Sequence, residues 1–177
     1  MAKGNIFLVG MMGAGKTTLG RALARRLRRD FTDMDQVLVD RTGVPVATIF
    51  DIEGEDGFRR RESCVLAELS ELEGLVVATG GGVVLSPSNR NLMRERGTVV
   101  YLRARLENLW DRTRHDASRP LLKTPNPRAT LAELLVAREP LYREVAHVTV
   151  DTGSQSASSL VGRVVVALRA HDASLVP

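Results

Sequence analysis

Cysteine is almost missing from this 177-residue chain. Cys64 stands alone, so no internal disulfide can form, and the thiol is expected to be buried or idle. Aromatic residues make up only 4% of the sequence and do not alternate with the basic ones, which leaves no stacking platform for single-stranded nucleic acid. No apolar run approaches the roughly 18 residues that a membrane span requires. The N-terminus has one lysine and then a strand-like run, without the apolar segment and cleavage site of an export signal. A cytoplasmic enzyme with no membrane partner is the expectation. Three histidines, His115, His147 and His171, show no metal-ligand spacing and are expected to be solvated or structural.

Charge is present in moderate excess of one sign. The net value of +4 suits an anionic ligand without identifying it. The stretch "GRALARRLRRD" tests whether that ligand is nucleic acid. Leu19, Ala22, Leu23 and Leu27 recur at helical spacing, while Arg21, Arg25 and Arg28 fall opposite. The pattern is an amphipathic helix with a solvated basic face, and no nucleic-acid partner is expected.

What is abundant is glycine in particular places. "GMMGAGKTT", residues 10–18, has the form G-x-x-x-x-G-K-[ST], follows the apolar run "NIFLVG" and precedes the amphipathic helix. Strand, glycine loop and helix in that order make a phosphate-binding loop. Its backbone N–H groups, including those of Gly13, Ala14, Gly15, Lys16, Thr17 and Thr18, surround an anion at the positive end of the helix. Lys16 would reach the outer phosphates of ATP, and the Thr17 hydroxyl would bind Mg²⁺.

Further strands are predicted at "LVVAT" (75–79), "TVVYL" (98–102), "HVTVD" (147–151) and, briefly, near Phe31. A helix is predicted over 58–72, with Val65, Leu66, Leu69 and Leu72 on one face. Trp110 falls on another helical stretch as packing. Alternating strands and helices imply a mostly parallel sheet covered on both faces, and no linker divides residues 1–177, so one domain is expected. The segment 112–128 interrupts the regularity with three prolines and several cations. It is expected to be a lid that closes over phosphates.

Several short motifs are ambiguous singly. Asp33 and Asp35 in "TDMD" would project to the same side of an extended segment, or would cap a helix. Arg59 and Glu62 in "FRRRE" make either an exposed ion pair or part of a site. Gly80, Gly81 and Gly82 follow a strand, where they form a turn or let a ligand rest on bare backbone. Arg138 in "LVAREPLYREVA" is equally open. The strand "LVVAT" ends without the magnesium-supporting aspartate of many hydrolases, and "NKxD" is absent, which weakens a motor or GTP switch.

Taken together, "GMMGAGKTT", "DMD", "GEDGFRRRE", "ATGGGVV", "SRPLL" and "AREPLYREVA" resemble the shikimate kinases in order and spacing, from about Asn5 to Arg169. The resemblance implies an α/β fold with a five-stranded parallel sheet in the order 2-3-1-4-5. It also implies transfer of the ATP γ-phosphate to the 3-hydroxyl of shikimate, and a monomer without further partners is expected. By similarity, Thr17 would ligate Mg²⁺ directly and Asp33 through water, while Asp35 would act as base. Arg59 and Arg138 would clamp the shikimate carboxylate, with Glu62 orienting Arg59 and Gly80–Gly82 against the ring. Arg119 in the lid would reach the ATP phosphates, and Arg112 and Gln155 would flank adenine. The rivals are a nucleoside-monophosphate or other small-molecule kinase, and an ATP-dependent nucleic-acid-binding module. Shikimate-dependent ADP release separates the family's reaction from both.

Overall fold

The computed structural model describes residues 4–177. Five strands form one parallel sheet: β1 (Asn5–Val9), β2 (Asp30–Asp33), β3 (Leu75–Ala78), β4 (Gly97–Ala104) and β5 (Val148–Thr152). Their spatial order is β2-β3-β1-β4-β5, as the family resemblance implies. Every residue of β1 is buried, which is why its sequence is continuously apolar and does not alternate. At the edge, β5 alternates between buried and exposed positions. The register pairs Ile6 with Val76 on one side and with Thr98 on the other, so β1 lies at the sheet's centre.

Seven helices cover the sheet: α1 (Lys16–Leu27), α2 (Met34–Thr42), α3 (Val46–Ser70), α4 (Pro87–Arg96), α5 (Leu106–Thr113), α6 (Pro127–Val145) and α7 (Ala157–His171). Local chemistry sets many of their ends. Ser86, Asn126 and Ser156 each accept a backbone N–H in the first turn of α4, α6 and α7, and Pro87 and Pro127 occupy positions that need no donor. Helix α1 presents Arg21 and Arg25 to solvent as expected, whereas Arg29 folds inward and donates to the carbonyls of Gly4 and Leu175.

Two predicted boundaries are corrected. Helix α3 begins at Val46 and breaks at Gly54, where φ is 69°, before running to Ser70; the sequence pattern had placed it over 58–72. Its first half was hidden because Gly54 interrupts the helical pattern and Val46 and Phe50 divide their surface between the core and a cavity. Its predicted end fails because Leu72 is 54% exposed in a turn leading to Gly74. The turn is held by Asn5, a buried amide that donates to the carbonyls of Leu69 and Leu72 and accepts from the Leu75 N–H. The irregular segment expected to be a lid is also shorter than 112–128: Arg112 belongs to α5 and Arg128 to α6, leaving 114–126 with one 3-10 turn at Pro120–Leu122.

Residues without a catalytic assignment behave mostly as expected. The Nδ1 of His147 accepts the Val99 N–H at 2.9 Å, so this histidine is structural, and burial lowers its pKa. His115 and His171 are exposed. Trp110 packs against the core. Cys64 is exposed, so it is not the buried thiol that was one of the two expectations. No helix among the described residues is long and apolar enough to cross a membrane.

Candidate active site

The loops that leave β1, β2 and β3 lie at the C-terminal edge of the parallel sheet, where open α/β folds place their ligands, and Arg59 of α3 and Arg138 of α6 reach the same region. The phosphate loop leaves β1 and enters α1 at Gly15, whose φ of 94° is costly for any residue with a Cβ. The Ala14 N–H turns back to the Met11 carbonyl, while Thr18 stands exposed at the start of α1. Within this loop the Lys16 ammonium donates to the carbonyls of Gly10 at 2.7 Å and Met11 at 2.9 Å. Burial lowers its pKa to about 8, against the opposing pull of Asp35.

The two aspartates do not share one extended segment. Strand β2 ends at Asp33, and Asp35 lies in the first turn of α2. Asp33 serves as the helix cap, its Oδ1 accepting the N–H of Asp35 at 2.9 Å and that of Gln36 at 3.4 Å. Its Oδ2 meanwhile accepts from the Thr17 hydroxyl across the cleft. Capping and a site role were alternatives in the sequence, and the two oxygens divide them. Asp35 points into the cleft with its pKa raised, by burial first and then by the Asp33 charge, while Lys16, Arg119 and Arg59 oppose the shift.

Two cavities meet at Asp35. One, of about 250 Å³, is lined by the phosphate loop, Asp33, Arg112 and Arg119. The other, of about 380 Å³, has apolar walls from Val46, Phe50 and Phe58 and a polar end made by Arg59, Glu62 and Arg138. Asp35, Arg119, Gly80, Gly81 and Met12 line both. A group held in the larger cavity thus faces phosphates held in the smaller one across a single carboxylate.

The triple glycine is explained by close approach. A Cβ at Gly80 would overlap the Glu62 carboxylate, and one at Gly82 would overlap the Arg59 guanidinium. At Gly81 a Cβ would stand 3.4 Å from Arg138 Nη1. Bare backbone at these positions lets three charged side chains crowd against the loop.

Glu62 is 1% exposed, and its Oε2 accepts from Arg59 at 2.8 Å. An exposed pair would contribute little, but this one is desolvated, and burial raises the Glu62 pKa while Arg59 holds it down. Glu62 Oε1 has no hydrogen-bond partner among the described residues. Burial opposes the Arg59 charge, and Glu62 and Glu55 outweigh it, leaving that pKa raised. Arg138, on α6, is 2% exposed.

In the irregular segment 114–126, Arg119 reaches both cavities and its Nε donates to Asp116 at 2.8 Å, leaving the two Nη groups outside that bond. Arg112 donates to the carbonyls of Gly13 at 3.0 Å and Gly153 at 2.6 Å, tying the loop after β5 to the phosphate loop. Gln155 is not brought to the phosphates. It lines a separate groove with Asn108 and Gly153, and its Nε2 donates to the Asp151 carbonyl.

The sequence reading missed Glu55, Asp116 and Tyr142, and also the apolar wall. Glu55 lies four residues before Arg59 on the same helix, a spacing that marks a pair. Tyr142 lies one turn after Arg138, which places both on one face of α6. The wall left no signal, because its residues read as ordinary core.

A phosphate loop at the centre of this sheet, joined through one carboxylate to a compact cavity with three arginines, defines a kinase of small molecules. The shikimate kinase family model matches residues 12–169. The shikimate kinase of Nitrosospira multiformis is 55% identical over 95% of this chain and 88% of its own length. That of Bordetella pertussis is 58% identical over 94% of this chain and 79% of its own. Among solved structures, the Acinetobacter baumannii shikimate kinase in complex with shikimate superposes with a TM-score of 0.93 at 46% identity, covering 96% of this chain and 95% of that one. This chain belongs to the shikimate kinase family.

Proposed function

We propose that the chain transfers the γ-phosphate of ATP to the 3-hydroxyl of shikimate, with the 250 Å³ cavity holding the phosphates and the 380 Å³ cavity holding the acceptor. The observation that carries this reading is Arg138. Its guanidinium is buried beside Arg59, yet it takes part in no ion pair among the described residues. A buried cation without a counter-charge is costly, and the carboxylate of the acceptor supplies one. Planar guanidinium forks match a carboxylate bidentately. The polyol ring then lies between the glycine loop of Gly80–Gly82 and the apolar wall, its reacting hydroxyl at Asp35.

On the donor side, Lys16 and Arg119 stabilise negative charge on the transferring group, and the loop from Gly13 to Thr18 holds the phosphates through its N–H groups, apart from that of Ala14, which the Met11 carbonyl occupies. Arg112 and the loop carrying Gln155 flank the adenine. The residues present fit a magnesium nucleotide: the Thr17 hydroxyl and the Asp33 carboxylate are hard oxygen donors facing one another in the cleft. Such an ion takes one or two protein oxygens and leaves its other positions to phosphate and water. We assign Thr17 as the direct ligand and Asp33 as the one acting through water. When bound, the ion neutralises charge on the β- and γ-phosphates.

The lid closes to keep water from the γ-phosphate. The functional unit in this reading is a monomer. Use of ATP supports a cytoplasmic location, and the reading involves no nucleic-acid partner.

The test uses coupled ADP release with the acceptor varied. Wild type should turn over rapidly only with shikimate and should discriminate strongly against shikimate methyl ester, which keeps the ring and hydroxyls and lacks the anion. Each charge-assisted bond contributes roughly 1.5–3 kcal/mol, so Arg138→Ala should lower kcat/KM for shikimate about 10- to 150-fold. The same variant should lose much of the discrimination, since arginine and carboxylate are partners in one interaction. Arg138→Lys should rescue only part, keeping charge without the fork. Equal turnover of acid and ester by wild type would remove the carboxylate clamp.

A further inference from the structure

One buried phenol lies where the two substrate cavities adjoin, and no part of the mechanism above uses it. Tyr142, on α6, is 0% exposed, and its ring stacks on Tyr101 with centroids 5.1 Å apart. Its hydroxyl donates to the Gly81 carbonyl at 2.5 Å and touches the Met11 sulfur at 3.6 Å. One hydroxyl carries one hydrogen, and the carbonyl is the better acceptor, so the sulfur contact is packing. Burial raises the phenol's pKa well above its ordinary value, against the opposing charge of Arg138, so the group remains a donor throughout the working pH range.

The acceptor of that bond belongs to a residue that lines both cavities. Gly81 lies so close to Arg138 that a Cβ would be 3.4 Å from Nη1, and so close to the phosphate loop that it would be 3.5 Å from the Met12 nitrogen. Met11, under the same hydroxyl, offers its carbonyl to the Lys16 ammonium. Tyr142 therefore touches the loop that carries the donor site and pins the loop that borders the acceptor site. It is also rooted one turn from Arg138.

We infer that Tyr142 is a positioning residue that fixes the acceptor loop relative to the phosphate loop, so that the bound hydroxyl and not water meets the γ-phosphate. Phosphoryl transfer depends on alignment more than on covalent chemistry, and small misplacement of a reacting atom is costly. The inference rests on the proposed reaction of shikimate with ATP.

Tyr142→Phe removes the donor and keeps the ring stack. Transfer kcat should fall about tenfold, and the ratio of shikimate phosphate formed to ADP released should fall below that of wild type. A purely structural loss would reduce the folded fraction and scale both products equally, leaving that ratio unchanged. Tyr101→Phe, which deletes the neighbouring hydroxyl and leaves the Gly81 bond in place, should keep the wild-type ratio. An unchanged ratio and kcat in Tyr142→Phe would overturn the inference while leaving the reaction itself intact. Absence of shikimate-dependent turnover in wild type would instead overturn the reaction.

Should Tyr142→Phe not accumulate as folded protein, the Tyr101→Phe protein carries the test. The chain has two tyrosines, so Tyr142 is then its only one. Labelled with 3-fluorotyrosine, it should show a shifted fluorine resonance on saturation with shikimate. A resonance unmoved by shikimate would overturn the inference.

Discussion

Asp35→Asn is expected to lower kcat by about 10²-fold or more, the lower end of what a positioned general base contributes. ATP binding in the absence of acceptor should persist or tighten, because the variant removes a negative charge from beside Lys16. The pH profile supplies a second measure. The folded-state pKa of Asp35 is raised, and its carboxyl must be ionised to accept a proton, so kcat/KM should fall as pH drops through a value above the usual carboxylate range. That limb should be absent in the asparagine variant. Asp33→Asn should behave differently. Asparagine still caps α2 through its one side-chain oxygen, so the fold is retained, but an uncharged NH₂ group replaces the carboxylate oxygen facing Thr17. The Mg²⁺ concentration for half-maximal rate should rise. Identical phenotypes for the two variants would mean that their roles are divided wrongly here.

These two residues also show why part of the site was legible in sequence and part was not. The phosphate loop could be read directly, because anion binding by successive N–H groups is a property of nine consecutive residues. Strands β1 and β4 could be read because burial on both faces leaves continuous apolar runs. "TDMD" could not be resolved, since whether Asp33 caps a helix or faces Thr17 depends on a side chain sixteen residues away. Its two oxygens in fact do both. Arg138 was equally mute, because burial without a counter-ion is a tertiary fact; its neighbours in sequence give no hint of Gly81. Glycines 80–82 were recognisable as a loop, yet the reason for all three lay in Glu62 and Arg59 arriving from α3. The first half of α3 escaped detection because Gly54 breaks the helix and because Val46 and Phe50 divide their surface between the core and a cavity, which blurs the core periodicity there. The family resemblance recovered many of these positions by pattern; the physical reasons became visible only in three dimensions.

Lys16→Met should depress kcat by about 10²- to 10³-fold, corresponding to a loss of roughly 2.7–4 kcal/mol of transition-state stabilisation. The magnitude follows from where the ammonium sits. It is held by the Gly10 and Met11 carbonyls at the floor of the phosphate cavity, with Asp35 and Arg119 as its charged neighbours. In that low-dielectric position a fixed positive charge acts on the γ-phosphate far more strongly than the same charge would in water. Methionine keeps much of the side chain's length and apolar contact, so the loop should remain folded and the defect should be electrostatic. The alkaline limb of the profile gives the independent check. With a pKa of about 8 in the free enzyme, Lys16 loses its proton as pH rises past that value, and kcat/KM for ATP should decline there. Bound phosphate favours the ammonium, so the limb in kcat should appear at higher pH than the limb in kcat/KM. Lys16→Met should lack the alkaline limb that belongs to this group. Near-normal turnover in the variant, or an alkaline decline identical to that of wild type, would take Lys16 out of the mechanism and leave Arg119 as the cation to test next.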